Sequence, residues 1–132
     1  MKKKTPKQII KKRLEKKVKL VVKQRDKYTC QKLEEVVEGA NCHASHVIPV
    51  SQSPRMAYDP LNLKVLSYHN HLNWWHKFPT ESGKWFAEKF PERMEYLNNR
   101  LQETRAMGTI HMSEYEEMER ILDEMLKKQE SE

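Results

Sequence analysis

Two cysteines in 132 residues, 12 positions apart at Cys30 and Cys42, cannot make a disulfide framework. No apolar run approaches the roughly 18 residues that a membrane span needs, and the N-terminal lysines are not followed by a signal-peptide core. Internal repeats are missing too, as is low-complexity sequence beyond the lysine-rich start. These absences set the expectations of no membrane partner and a reduced, cytoplasmic compartment. Acid is scarce where base is dense. Residues 1–27 hold 13 Lys or Arg against only Glu15 and Asp26, a net +11, so the remaining chain carries −5 of the total +6. The basic charge is therefore one arm, and its natural partner is a polyanion.

The length bounds the chain to one small domain with helical extensions. Thr5-Pro6 reads as a helix start, hydroxyl at the N-cap and proline in the first turn, opening a helix to about Asp26. Ile10, Leu14, Val18 and Val21 make its apolar stripe, while Lys11, Lys12, Lys16, Lys19 and Lys23 occupy other faces. A solvated face is the plain reading of such lysines. Their density favours DNA phosphate contact, since each neutralised phosphate releases counterions. From Tyr28 to Ile48 a hairpin-like excursion turns at Gly39-Ala40-Asn41. Asn62–Tyr68 reads as a short strand, His69–His76 begins a helix, and Thr80–Phe90 and Pro91–Glu103 are two more. After a break at Met107-Gly108, Ser113-Glu114-Tyr115-Glu116 reads as a capping box, with Tyr115, Met118, Ile121, Leu122 and Met125 as the buried stripe. Residues 113–132 hold eight acids against three bases, so this last helix is expected to pack on the basic arm or on a partner.

The segment Cys42-His43-Ala44-Ser45-His46-Val47-Ile48-Pro49 carries the chemistry. Asn62 follows His46 by sixteen positions, inside Tyr58-Asp59-Pro60-Leu61-Asn62, and His71 follows nine later, after the strand-like Leu63-Lys64-Val65-Leu66. A histidine, an asparagine and a histidine in that order fit phosphodiester hydrolysis. His46 would deprotonate water, its imidazole titrating near about 6.5 when unperturbed. Asn62 would hydrogen-bond across the loop and fix that imidazole, while His71 would hold a divalent cation that stabilises phosphoryl charge. Arg55 either clamps a phosphate through its planar fork or makes a surface ion pair. Of Trp74 and Trp75, which point about 100° apart on a helix, core filling is favoured over stacking on bases.

The stretch from Cys30 to about Tyr96 resembles the phage recombination nucleases called NinG or Rap, a branch of the HNH, or ββα-metal, superfamily. The likeness rests on Cys30, Ser45-His46, Arg55, Tyr58, Asp59 and Asn62, Ser67-Tyr68-His69-Asn70-His71, and Asn73-Trp74-Trp75-His76, over half the chain. It implies an α+β fold with a small ββα-metal core, here at 28–105, flanked by the basic helix at 1–27 and by C-terminal helices ending in the acidic one at 106–132. It also implies a metal-dependent endonuclease acting on branched or single-strand-containing DNA in the host cytoplasm, with Mg²⁺ or Mn²⁺ as cofactor and a phage or host recombination partner. Of the four cysteines that bind structural zinc in that pattern only Cys30 is kept, with Leu33, Ser67 and Asn70 in the other places, so that zinc site is not expected. Gathering Cys30, Cys42, His43 and His69 around zinc fits no common template. Ser45 stands where many HNH sites place an Asp or His ligand. His43, His69, His76 or Asp59 then completes the coordination of His71, or the ion is held loosely with substrate phosphate. Two other classes of function stay open: a non-catalytic DNA-binding accessory on an HNH scaffold, and an adaptor acting through the acidic helix. The apolar stripes of the terminal helices fit a homodimer and intramolecular packing equally.

Overall fold

A computed structural model describes residues 2–132. Helix α1 (Pro6–Arg25) begins where expected, the Thr5 side chain capping the Gln8 N–H while Gln8 caps Thr5 in return. Strands β1 (Thr29–Cys30) and β2 (Glu35–Val36) form a minimal hairpin. Strands β3 (Cys42–His46) and β4 (Leu63–Ser67) pair antiparallel, with Ser45 opposite Lys64 and His46 opposite Leu63. Helix α2 (Tyr68–Asn70) runs into a π turn at His71–Trp75, and α3 (Pro79–Lys89), α4 (Pro91–Arg105) and α5 (Met112–Glu130) complete an α+β fold. Among the described residues no helix is long and apolar enough to cross a membrane.

Three sequence expectations change. The segment His69–His76 is not one regular helix, because Ser67 caps a single α-turn through the Asn70 N–H and the chain then widens to i→i+5 bonding, His76 N–H to His71 carbonyl. Helix α5 starts at Met112 rather than at a Ser113 cap, since the Glu114 carboxylate is taken by the His111 N–H at 2.8 Å. Its seam is also displaced. Tyr115 and Leu122 are buried and Met118 and Leu126 pack beside them, while Ile121 and Met125 stay outside.

Helices α1 and α5 lie side by side and run the same way, since Lys7 meets Ile110, Arg13 meets Glu119, Lys17 meets Asp123 and the Val21 carbonyl meets Gln129. The acidic helix thus packs on the basic arm within the chain. All four stripe residues of α1 are buried, in one core cluster with Leu63, Val65, Leu66, Phe86, Leu97 and Leu122. The far end of α1 then clamps β4: Arg25 donates to the Pro60 and Leu63 carbonyls, and Asp26 accepts from Val65 N–H at 2.9 Å. Replacing Leu14, 0% exposed at the centre of this packing, by alanine is expected to lower unfolding free energy by about 2–5 kcal/mol in urea melts.

Candidate active site

Strand β3 ends at His46 because the chain must turn away, and one buried side chain fixes how. The Asn62 amide oxygen accepts the Ile48 N–H at 2.8 Å, and its NH₂ donates to the Ile48 and Met56 carbonyls at 3.0 Å each. The amide therefore staples both ends of the loop between the paired strands. The hydrogen bond from Asn62 to His46 that the sequence predicts is not made, because all three amide bonds go to the backbone of the loop. The carbonyl of Ala57, next to the stapled Met56, lies 2.9 Å from His46 Nε2. A carbonyl only accepts, so Nε2 carries the proton and Nδ1 is left with a free lone pair. Burial is the first cause that lowers the His46 pKa from 6.5, and nearby Lys64 and Lys19 add to it against the Ala57 bond. At neutral pH the ring is therefore a neutral base.

The π turn positions the other imidazoles. In a regular α-helix, residues five apart point well away from each other, whereas the wider turn sets His76 over His71, with Nε2 to Nε2 at 2.9 Å. On the opposite side of the His71 ring, Nδ1 lies 2.9 Å from His43 Nδ1, and His43 Nε2 lies 2.9 Å from the Ala40 carbonyl. Proton placement follows in sequence. His43 carries its proton on Nε2 to reach Ala40, so its Nδ1 accepts from His71 Nδ1–H, and His71 Nε2 is then a lone pair directed at His76. Burial, then His76 and His43, push the His71 pKa down to about 4.

This arrangement corrects the expected metal set of His71, His43 and His76. His43 faces the wrong nitrogen of His71 to share an ion with His76. It acts one step out, holding the His71 proton on Nδ1 as outer partners of metal-bound histidines do. Among the described residues no cluster of three or more His, Cys, Asp or Glu converges as a metal site. Asp59 is engaged with the Leu61 N–H and the Tyr96 hydroxyl, and His69 is exposed. Among the described residues, His71 Nε2 and His76 Nε2 are the two donors that converge. Two imidazoles suit a first-row transition ion better than Mg²⁺, which prefers oxygen, with water and phosphate filling the other positions. His76 is exposed, so its proton can move to Nδ1 and bond water.

His46, His71 and His76 share a cleft of about 770 Å³, walled by Glu15 and Lys19 of α1, Tyr58 of the stapled loop and Trp75 of the π turn. Lys12, Lys16, Lys19 and Lys23 recur at spacings of four and three, so they share the helix face that Lys19 presents to the cleft. Lys19 is paired with Glu15 at 2.9 Å. Lys11, Lys12, Lys16 and Lys23 have no carboxylate partner among the described ion pairs, while Arg13 and Lys17 are spent on α5. The phosphate-clamp role for Arg55 is overturned. Its side chain is 9% exposed, binds Glu114 at 3.1 Å and donates to the Gly108 and Thr109 carbonyls, so the fork is already filled.

Capping and periodicity pass over Lys64, although a lone lysine inside an apolar strand is a signal. It is 0% exposed. Its ammonium lies 3.0 Å from Ser45 Oγ and 3.1 Å from the Trp75 ring centroid. Burial, then the Arg93 guanidinium, hold its pKa well below the lysine range. Ser45 is thereby engaged by an internal amine.

Compared with protein-family models, curated proteins and solved structures, the chain gives no significant match to any of the three.

Two outcomes follow from this geometry. Arg55→Ala is expected to lower stability by about 2–3 kcal/mol, through lost charge-assisted bonds, and to leave DNA affinity unchanged in anisotropy titrations. The second concerns acid. Between 6.5 and about 4 the unfolded chain holds a proton on residue 71 that the folded chain does not, so this contribution is full above 6.5 and is lost as pH falls through that window. The melting temperature should fall as pH drops from 6.5 to about 4, less steeply in His71→Gln. Glu119, held down to about 2 by Arg13 and Lys17, responds only at lower pH.

Proposed function

We propose that the protein is a metal-dependent DNA endonuclease of the HNH type, as its resemblance to phage recombination nucleases implies, with His46 as general base. The observation that carries the reading is the His46 imidazole: proton anchored on the Ala57 carbonyl, Nδ1 lone pair left free, in a cleft shared with the converging His71 and His76 nitrogens. His46 Nδ1 takes a proton from water aligned on the scissile phosphorus. A divalent ion held by His71 and His76 would supply charge stabilisation to the phosphoryl and leaving 3′ oxygens. His43 keeps the His71 proton on Nδ1, and through it the Nε2 lone pair in place. The lysine stripe of α1 attracts the DNA backbone without reading sequence, and its contribution weakens as salt rises. Branched or single-strand-containing DNA is the substrate class that the resemblance suggests.

A second reading, a non-catalytic DNA-binding accessory, is favoured by one observation: only two donors converge where many metal sites offer three. Cleavage of labelled branched, single-stranded and duplex DNA with Mn²⁺, Zn²⁺ or Mg²⁺ separates the two. The nuclease reading expects metal-dependent cutting that drops by about 10²–10⁴-fold in His46→Ala with DNA binding intact. Lowered basicity of His46 also extends the active range of kcat/KM below 6.5. Binding without cutting by the wild-type protein would establish the accessory reading, and cutting that survives in His46→Ala would remove His46 from the base role.

A further inference from the structure

The π turn that sets His71 and His76 on the cleft also divides two adjacent indoles. Trp75 turns inward, 8% exposed, onto Lys64 and Phe86. Trp74 turns outward and meets Trp85 of α3 edge to face, centroids 5.2 Å apart at 77°, and both rings stay partly exposed. Over this pair lies a cation from a distant part of the chain. Lys32, in the β1–β2 turn, places its ammonium 4.8 Å from the Trp74 centroid and 5.7 Å from that of Trp85. Among the described ion pairs Lys32 has no carboxylate partner. Lys89 also lies 5.5 Å from the Trp85 centroid, though it is shared with Glu34 at 3.4 Å. Lys77, three residues after Trp74, is exposed and likewise unpaired.

We propose that Trp74 and Trp85, with Lys32 and Lys77, form a docking platform for unpaired nucleotides of single-stranded DNA. Base and phosphate are both accounted for. An exposed ammonium over an indole is a weak contact, whereas a nucleobase stacked on the same ring gains more, whatever its identity. The base would take the ring face and the displaced ammonium would move to the adjoining phosphate. A base pair buries its faces in the duplex stack, so an intact duplex cannot use the platform. Because Trp74 shares a turn with His71 and His76, a strand held there is delivered beside the cleft. The inference rests on the nucleic-acid half of the function proposed above and adds the surface that would hold its unpaired nucleotides.

The test is binding in metal-free buffer with EDTA, so that cutting plays no part. Anisotropy of a labelled oligothymidylate is compared with that of a blunt-ended duplex carrying the same number of phosphates. Trp74→Ala should weaken oligothymidylate binding by about 10-fold or more and leave the duplex unchanged, while Trp74→Phe retains most of the affinity and controls for folding. Lys32→Ala should weaken oligothymidylate binding less and flatten its salt dependence. Wild-type affinity for both ligands in Trp74→Ala, or an equal loss on both, would overturn the platform and leave the nucleic-acid reading standing. Failure of the wild-type protein to bind either ligand would remove both.

Discussion

The amide of Asn62 is the constraint on which the site depends. Its three hydrogen bonds close the long connection between two strands that are adjacent in space but far apart in sequence. Hydrogen-bonding capacity decides why the residue is an asparagine: one acceptor and two donors meet one N–H and two carbonyls, which neither aspartate nor leucine can do. Left unmatched, those three backbone groups would be buried at a cost of about 1–3 kcal/mol each. With the staple in place the Ala57 carbonyl stands at a fixed position, and so does the proton of His46. Orientation of the His46 ring is thus inherited from the backbone, through a residue that makes no hydrogen bond to it.

A change of helical pitch does for His71 and His76 what the staple does for His46. The i→i+5 turn brings two ring nitrogens to one point and at the same time splits Trp74 from Trp75, one to the surface and one to the core. Behind the site lies an internal amine, Lys64, held by a hydroxyl, two backbone carbonyls and an indole face. After burial and the two neighbouring imidazoles, Lys64 adds to what keeps the His71 ring neutral. The terminal helices supply the complementary half of the electrostatics. Pairing Glu119 and Asp123 with Arg13 and Lys17 cancels one face of the basic arm and leaves the cleft-side lysines as the concentrated charge.

Much of this was legible in the residues. The capped start of α1, its apolar stripe, the strand after Asn62 and the helix starts near Thr80 and Pro91 follow from local rules of capping and periodicity. Those rules act within a few residues of themselves. What they could not reach was set by contacts far apart in sequence. Glu114 is claimed by Arg55, 59 positions away, and by His111, so the cap lies at His111, and of the two roles open to Arg55 the ion pair is the one made. The grouping of histidines was readable, but which nitrogen faces which partner depends on the π turn and on the Ala40 carbonyl. Periodicity could not supply the turn, and the separation of roles between His43 and His76 went with it.

The π turn directs two imidazole nitrogens at one point, where a divalent ion would sit. Long-range ¹H–¹⁵N spectra of the histidine rings test it most directly. Without metal, His43 should carry its proton on Nε2 and His71 on Nδ1, and added Zn²⁺ should shift the Nε2 resonances of His71 and His76 together while His46 keeps its own. A His71 ring protonated on Nε2, or Zn²⁺ shifts confined to exposed histidines such as His69, would contradict the account.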